Sequence, residues 1–280
     1  MVELDYLVIG HATNDLVGGT LRIGGTVVYA ARTALAFGCR VGVVTSARAD
    51  LDLASVLAGV ATELISADAT TTFENVYTAE GRRQVIHGVA GKLAPGVVPA
   101  AWQARIVHLG PVAQELDPRL AKCFGSAFLG LTPQGWMRRW DSGGQVGRTR
   151  WKGANPLLRR ADAVVLSDED VRRSERLLRR YAGRTRALVV TRAAAGGSLY
   201  SGGSVRHFAG ADVTEVDPTG AGDIFAAAFF ISLQRTGDAW QAARLANCLA
   251  ARSVTRPGLD GVPNADEVAR CERDLLVQRV

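Results

Sequence analysis

Three features of this chain predict a three-layer α/β fold, with a mostly parallel central sheet and helices on both of its faces. Short apolar runs alternate with longer helical stretches from one end of the chain to the other, the rhythm of repeated βα units. The runs are continuously apolar rather than alternating, as in strands buried on both faces. A length of 280 residues, 48% hydrophobic and 21% charged, suits one large domain, and no linker or repeat divides 1–280 into smaller units.

The elements follow in order. The opening LDYLVIG is a buried strand ending in Gly10. GGTVVYAARTALAFG places Val27, Ala30, Ala31, Ala34 and Phe37 on one helical face, with Gly38 as its stop. RVGVVTS is the next strand and LDLASVLAGV the next helix. The strands ARIVHLG, SAFLGLT, ADAVVLS and RALVVTR come after them, with helical stretches such as DEDVRRSERLLRRYA between. One segment breaks the rhythm. TTTFENVYTAEGRRQVIHGVA, at about 70–90, alternates with period two around a turn at 79–81, as a β-hairpin does. Such an insertion is either a flap over a site or an antiparallel extension of the sheet.

Composition narrows the classes of function. A formal charge of +6 raises nucleic acid as a partner. However, 30 of the 33 basic residues are arginine, a bias that reads as compositional, and no aromatic residues interleave with them in the manner of a single-strand binder. An anionic small molecule fits better. No apolar run is long enough to span a bilayer, and MVELDYLVIG lacks the basic start of a signal peptide. Cys39, Cys123, Cys248 and Cys271 are far apart and form no CxxC. The expectation is a cytoplasmic protein with reduced thiols, a monomer or homodimer that binds neither membrane nor nucleic acid.

Chemistry concentrates at residues 216–234, VDPTGAGDIFAAAFFISLQ. A strand TEV, a turn DPTGAGD and a helix from about Ile224 would put this turn at the carboxyl end of a strand, where open parallel sheets bind ligands. The backbone N–H groups of Gly220, Ala221, Gly222 and Asp223 then point from a helix N-terminus, which favours an anion. Asp223 within that cradle is placed to accept a proton from an attacking alcohol. As a helix cap it would need no glycine pair and no Asp217 six residues earlier. GTLRIGGT, residues 19–26, has P-loop spacing but carries Gly25 where the phosphate-binding lysine belongs, and it lies too far past the first strand. No GxGxxG follows that strand, which argues against a dehydrogenase.

DPTGAGD resembles the C-terminal signature of the ribokinase-like, PfkB-type carbohydrate kinases, and the resemblance extends over essentially the whole chain. GHATND is similar to that family's first turn, which implies substrate binding by Asp15. The glycine pair implies that Gly24 and Gly25 lie against the substrate. The hairpin corresponds to the family's β lid. VVTRAAAG resembles the nucleotide-binding loop, implying Thr191, Arg192 and Gly196 there, and ANCLAARSVTRPG the adenine-flanking helix with Asn247.

The resemblance further implies ATP as donor with Mg2+, Asp223 as base over an anion hole at 220–223, and a monovalent cation such as K+ at Asp217 and Thr219. Two departures stand out. Tyr29 replaces a frequent asparagine, and Ser167-Asp168-Glu169-Asp170 replaces Asn-x-x-Glu, leaving Ser167 and Asp170 to reach magnesium-bound water. TTTFENVY and LTPQGWMRR resemble a short subgroup that includes myo-inositol kinases. Asn75 and Gln134 suit a neutral polyol, cyclitol or sugar, whereas Arg82 or Arg138 would receive a phosphate. His11 follows the first strand and is a candidate substrate contact; His87, His108 and His207 read as structural. The alternatives are a kinase of a nucleoside or sugar phosphate, and a silent ligand-binding protein on the same fold.

Overall fold

A computed structural model describes residues 1–78 and 81–277, with the backbone alone for 76–78 and 81–82. The strands are β1 (Val2–Ile9), β2 (Thr13–Val17), β3 (Thr20–Gly24), β4 (Val41–Ala47), β5 (Ala61–Ser66), β6 (Thr71–Thr78), β7 (Gly81–Gly88), β8 (Trp102–Leu109), β9 (Phe128–Leu131), β10 (Arg138–Trp140), β11 (Val146–Arg148), β12 (Ala163–Ser167), β13 (Ala187–Thr191), β14 (Gly197–Ser201) and β15 (Ser204–Phe208). The α-helices are α1 (Thr26–Ala36), α2 (Leu53–Val56), α3 (Ala154–Arg160), α4 (Glu175–Ala182), α5 (Ala221–Thr236), α6 (Ala239–Ser253) and α7 (Ala265–Val277).

Nine strands form the central sheet in the order β15-β14-β13-β12-β9-β8-β1-β4-β5. From β12–β13 to β4–β5 every pair is parallel; β14 and β15 join antiparallel at one edge. Successive side chains of β1 explain the three layers. Tyr6 and Val8 enter a core shared with α1, α5, α6 and α7, while Leu7 and Ile9 enter a second core on the opposite face, shared with α3 and α4. Helix α5 is buried along Ile224, Phe225, Ala226, Ala227, Ala228, Phe229, Phe230 and Ile231, each large side chain contributing ~1.5–3 kcal/mol of transfer energy. This burial anchors the helix whose first turn faces the site.

Where the chain departs from sequence expectation, the cause is local. The helix expected across 168–182 is confined to Glu175–Ala182, because Arg172 and Arg173 take positive φ and Ser174 caps the start with a bond from Leu177 N–H. Helix α2 is a single turn capped by Asp52. Thr214, Glu215 and Val216 are not a strand; Val216 and Asp217 donate their N–H groups to the Val254 carbonyl and run beside the end of α6. The lid is larger than a hairpin, a four-stranded sheet in the order β3-β2-β6-β7. The extra pair, β2 and β3, is joined by the two-residue Gly18–Gly19 turn, a hairpin signal readable in LVGGTL. The 79–81 turn expected for the other hairpin includes Ala79 and Glu80, which lie outside the described residues.

The thiols also differ from expectation. Cys248 of α6 is disulfide-bonded to Cys271 of α7, a pairing that arises only when the two helices pack side by side. Cys39 and Cys123 are free. Among the described residues no helix is long and apolar enough to cross a membrane.

Candidate active site

A cavity of about 620 Å³ lies between the lid and the carboxyl ends of the central strands. Its floor is the start of α5. Gly220 is the N-cap, in the left-handed region at φ 79°, and no side chain caps the helix. Ala221 N–H donates to the Pro218 carbonyl at 3.2 Å, whereas the N–H groups of Gly222 and Asp223 belong to an uncapped first turn beside the cavity, which Gly220, Gly222 and Asp223 line. A Cβ on Gly220 would fall 2.2 Å from the Tyr29 ring, so Tyr29, buried on α1, supports the turn from below. Burial lifts the Tyr29 phenol far above its ordinary pKa, and the nearby Asp15, Asp217 and Asp223 add to the effect.

Loss of water around the Asp223 carboxyl pushes its pKa up to about 6, against the opposing pulls of the Thr26 hydroxyl, which donates to it, and the Arg138 guanidinium. At neutral pH it remains a carboxylate, and a much better proton acceptor than an ordinary aspartate. Asp217 fixes the turn around it. One oxygen accepts from Thr219 N–H at 2.9 Å and the other from Gly258 N–H at 2.8 Å, which brings Pro257, Gly258, Leu259 and Asp260 to the rim. Asp217 and Thr219 line the cavity, but this carboxylate is already engaged by two backbone amides where a monovalent cation was expected.

The lid supplies the opposite wall. Asp15 of β2 and Asn75 of β6 face the cavity, and Asn75 accepts from Gln84 of β7 at 3.2 Å. Gly24 does not line the cavity. Its missing side chain makes room for the Asp15 carboxylate, 2.5 Å from where a Cβ would sit. Gly25 does line it. Beyond lie Gln134, Arg138, Ser167, Asp170 and Thr191. Burial raises the Asp170 pKa, while Ser167 N–H, Arg138 and Gln134 pull it down.

Other expected residues stand elsewhere. His11 is fully buried, its ring fixed by the Gly91 carbonyl and the Thr71 hydroxyl, and it does not reach the cavity. Ala221 contributes backbone to the first turn of α5 but does not line the cavity. Arg192 donates to the Ser198 hydroxyl at 2.6 Å and approaches Asp168, and Gly196 is packed against Phe208 and Ala209. Neither lines this cavity or the second one, around Asn247. Asn247 lines a second cavity of about 850 Å³ with Phe208, Ala209, Val213, Trp240 and Ala251, and its amide donates to the Ala209 carbonyl.

The remaining histidines are structural or outside the first cavity. His108 bridges the Tyr6 and Thr132 hydroxyls in the core, and burial depresses its pKa to about 3. His87 pairs with Glu74, and His207 meets Ser198 at the second cavity.

Sequence reading missed Arg22, Gln84 and Thr26 as lining residues. Arg22 lies directly across from Asp15 in the β2–β3 register, so recognising the Gly18–Gly19 hairpin would have placed it. The Arg82 side chain lies outside the described residues. Among the described residues no cluster of three His, Cys, Asp or Glu is arranged to hold a metal.

Comparisons with known proteins bear on the fold. Residues 160–265 match the pfkB family carbohydrate kinases. A cytidine kinase of Thermococcus kodakarensis is 27% identical over 254 residues, 83% of this chain and 89% of that protein. The structure of a pyrophosphate-dependent kinase in the ribokinase family, complexed with a pyrophosphate analog and myo-inositol, superimposes with a TM-score of 0.79 at 22% identity, covering 95% of this chain and 99% of the other. Arabidopsis thaliana ribokinase complexed with ribose and ATP gives 0.74 at 17% identity, covering 97% and 99%. Identities this low establish the shared fold.

Proposed function

We propose that this chain, which carries the pfkB carbohydrate-kinase domain and belongs with the ribokinase-like kinases, transfers a phosphoryl group from ATP to a hydroxyl of a small neutral polyol, with a cyclitol such as myo-inositol the leading acceptor. One observation carries the reading: Asp223, the uncapped start of α5 and the lid's polar groups converge on a single cavity.

The acceptor hydroxyl is oriented by Asp15, Asn75 and Gln134 and gives its proton to Asp223. Its oxygen bonds to the terminal phosphorus of the donor as the bridging P–O bond breaks, and the electron pair leaves on ADP. Charge on the migrating group is met by the Gly222 and Asp223 N–H groups at the start of α5. Ser167 and Asp170, which line the cavity, are the residues that would meet the water around a Mg2+ ion arriving with the donor, since among the described residues no cluster of carboxylates would cage it. When bound, it neutralises phosphate charge.

The cavity's charge favours a neutral acceptor. Among the described residues Asp15, Asp170, Asp217, Asp223 and Asp260 line it against Arg22 and Arg138, an acidic surround that disfavours a sugar phosphate. A nucleoside acceptor is the second reading, favoured by the likeness to a cytidine kinase. The donor has two readings as well. The second cavity, with its apolar wall and Asn247, suits an adenine base, whereas one neighbouring structure is of a pyrophosphate-dependent enzyme.

The experiment crosses ATP and pyrophosphate with myo-inositol, ribose, cytidine and fructose 6-phosphate and follows products by phosphorus NMR. The expected product is a monoester of a free polyol made from ATP. Turnover of fructose 6-phosphate alone would sink the neutral-acceptor reading. No turnover of any pair would favour a silent binding protein.

A further inference from the structure

Helix α7 is tied to α6 by the Cys248–Cys271 disulfide, and that one bond closes a loop that borders both cavities. Its two cysteines are 23 positions apart in sequence. Between them, Pro257, Gly258, Leu259 and Asp260 form the rim of the first cavity. Toward the ends of the loop, Cys248, Arg252 and Arg256 face Glu267, Asp274 and Leu275 of α7 across the wall of the second.

The bond sits where packing is thin. Val268 and Cys271 are the buried side chains of α7, with Leu275 partly buried against the core. A helix of 13 residues is marginal in water without packing. Two ion pairs help to hold it, Arg252–Asp274 at 3.5 Å and Arg256–Glu267 at 3.0 Å, but part-exposed pairs of this kind contribute little. The rest of the molecule does not depend on the disulfide, because a large apolar core fills each face of the central sheet. The effect of the bond is therefore concentrated in the segment that it closes.

The bond is also open to attack. Cys271 is 0% exposed, whereas Cys248 is half-buried and lines the second cavity. Arg244, Arg252 and Arg256 line that cavity against Glu267 and Asp274, a slightly positive surround that favours the approach of a thiolate. Attack falls on the Cys248 sulfur, with Cys271 as the leaving group.

We infer that Cys248–Cys271 is a thiol–disulfide exchange site, reduced by a dithiol, whose state sets the order of residues 254–277 and so of the rims of both cavities. A thiolate of the reductant bonds to Cys248 Sγ as the S–S bond breaks, and the electron pair leaves on Cys271 Sγ, which takes up a proton. The second thiol of the reductant gives up its proton and displaces Cys248 Sγ, which is protonated in turn. The reductant leaves as its own disulfide, and two electrons have passed to the cysteine pair. This goes beyond the kinase reading, and only the kinetic arm of the test rests on that reading.

Counting thiols by alkylation and mass comes first. In the unfolded, unreduced protein two cysteines should alkylate, and all four after dithiothreitol; four at the outset would overturn the inference. Native protein held in dithiothreitol or in its oxidised form is then compared by hydrogen exchange. Reduction is expected to speed exchange of the α7 amides by on the order of 10²-fold, leaving α5 unchanged, and reoxidation to restore protection. Cys248→Ser should exchange like the reduced protein with or without reductant; Cys271→Ala takes its place if that variant fails to fold. On the donor and acceptor pair found active in the panel, kcat/KM should fall several-fold on reduction and return on reoxidation. A bond that survives dithiothreitol in the folded protein, α7 exchange unmoved by reduction, or the same kcat/KM in both states would overturn the inference and leave the kinase reading intact. Wild-type protein inactive on every pair would overturn the kinase reading instead, and hydrogen exchange alone would then decide the inference.

Discussion

Two glycines with positive φ mark the two ends of the proposed reaction, and they do opposite things. Gly220, at φ 79°, turns the chain so that the uncapped backbone of Gly222 and Asp223 lies at the cavity. Gly196, at φ 84°, turns the chain onto itself, with a Cβ there falling 2.1 Å from the Phe208 carbonyl and 2.5 Å from Ala209. One bares backbone for a ligand and the other removes it from reach. A glycine in a motif therefore says that backbone comes close to something; whether that is ligand or protein depends on the elements around it. The donor end is correspondingly the less determined, since Thr191 alone of the expected Thr191, Arg192 and Gly196 lines the first cavity.

The largest effect that would sharpen this contrast is at Asp223. Asp223→Asn is expected to lower kcat by ~10²–10⁴-fold while leaving donor affinity near wild type. The wild-type kcat/KM should rise with pH through about 6 as the carboxylate forms. Rapid turnover by the variant would remove Asp223 from the base role.

Gly220→Ala comes next. The new methyl group meets the Tyr29 ring and the left-handed backbone disfavours any side chain, at a cost of about 1–3 kcal/mol. Thermal melts should show the loss, and a Gly220→Ala, Tyr29→Ala double variant should recover some of it by removing the ring. Melts unchanged from wild type would show that the α5 turn is not built as described.

The same aspartate gives a stability effect of opposite sign to its catalytic one. Its folded pKa of about 6 lies above the ordinary value, so the folded state holds the proton more tightly than the unfolded chain. That contribution is fully present below about pH 4 and is lost as pH rises through 6, leaving the ionised carboxylate destabilising by up to ~3 kcal/mol. Asp223→Asn should therefore be more stable than wild type above pH 6 and no different below pH 4. Equal stabilities across the whole range would mean that the carboxyl is better solvated than its setting implies.

The smallest effect belongs to the donor end. Asn247→Ala removes one bond from α6 to the Ala209 carbonyl, worth ~1 kcal/mol. ATP KM should rise several-fold with acceptor KM unchanged. If pyrophosphate is the true donor, the substitution should leave donor KM unaltered, because a donor without a base has no use for the second cavity.

Much of this was legible without coordinates. Continuous apolar runs fixed the parallel strands, because a strand with both faces buried has no polar alternation to show. DPTGAGD located the α5 turn and its aspartate, because tight turn, bare backbone and carboxylate are all specified within one short local segment. Three things were not legible. The β2–β3 half of the lid was obscured by a glycine run read only as a P-loop near miss. The Cys248–Cys271 bond joins residues 23 positions apart that meet only through helix packing. His11 and Arg192 have the chemistry of ligand-binding groups, but their partners at Gly91, Thr71 and Ser198 lie on other segments. Sequence by itself determined the layers, the turn and the aspartate within it, since each depends on local periodicity or a contiguous motif. Tertiary structure alone decided which polar groups face the cavity and which are used up in the protein interior, because a side chain's partners come from segments that only folding brings together.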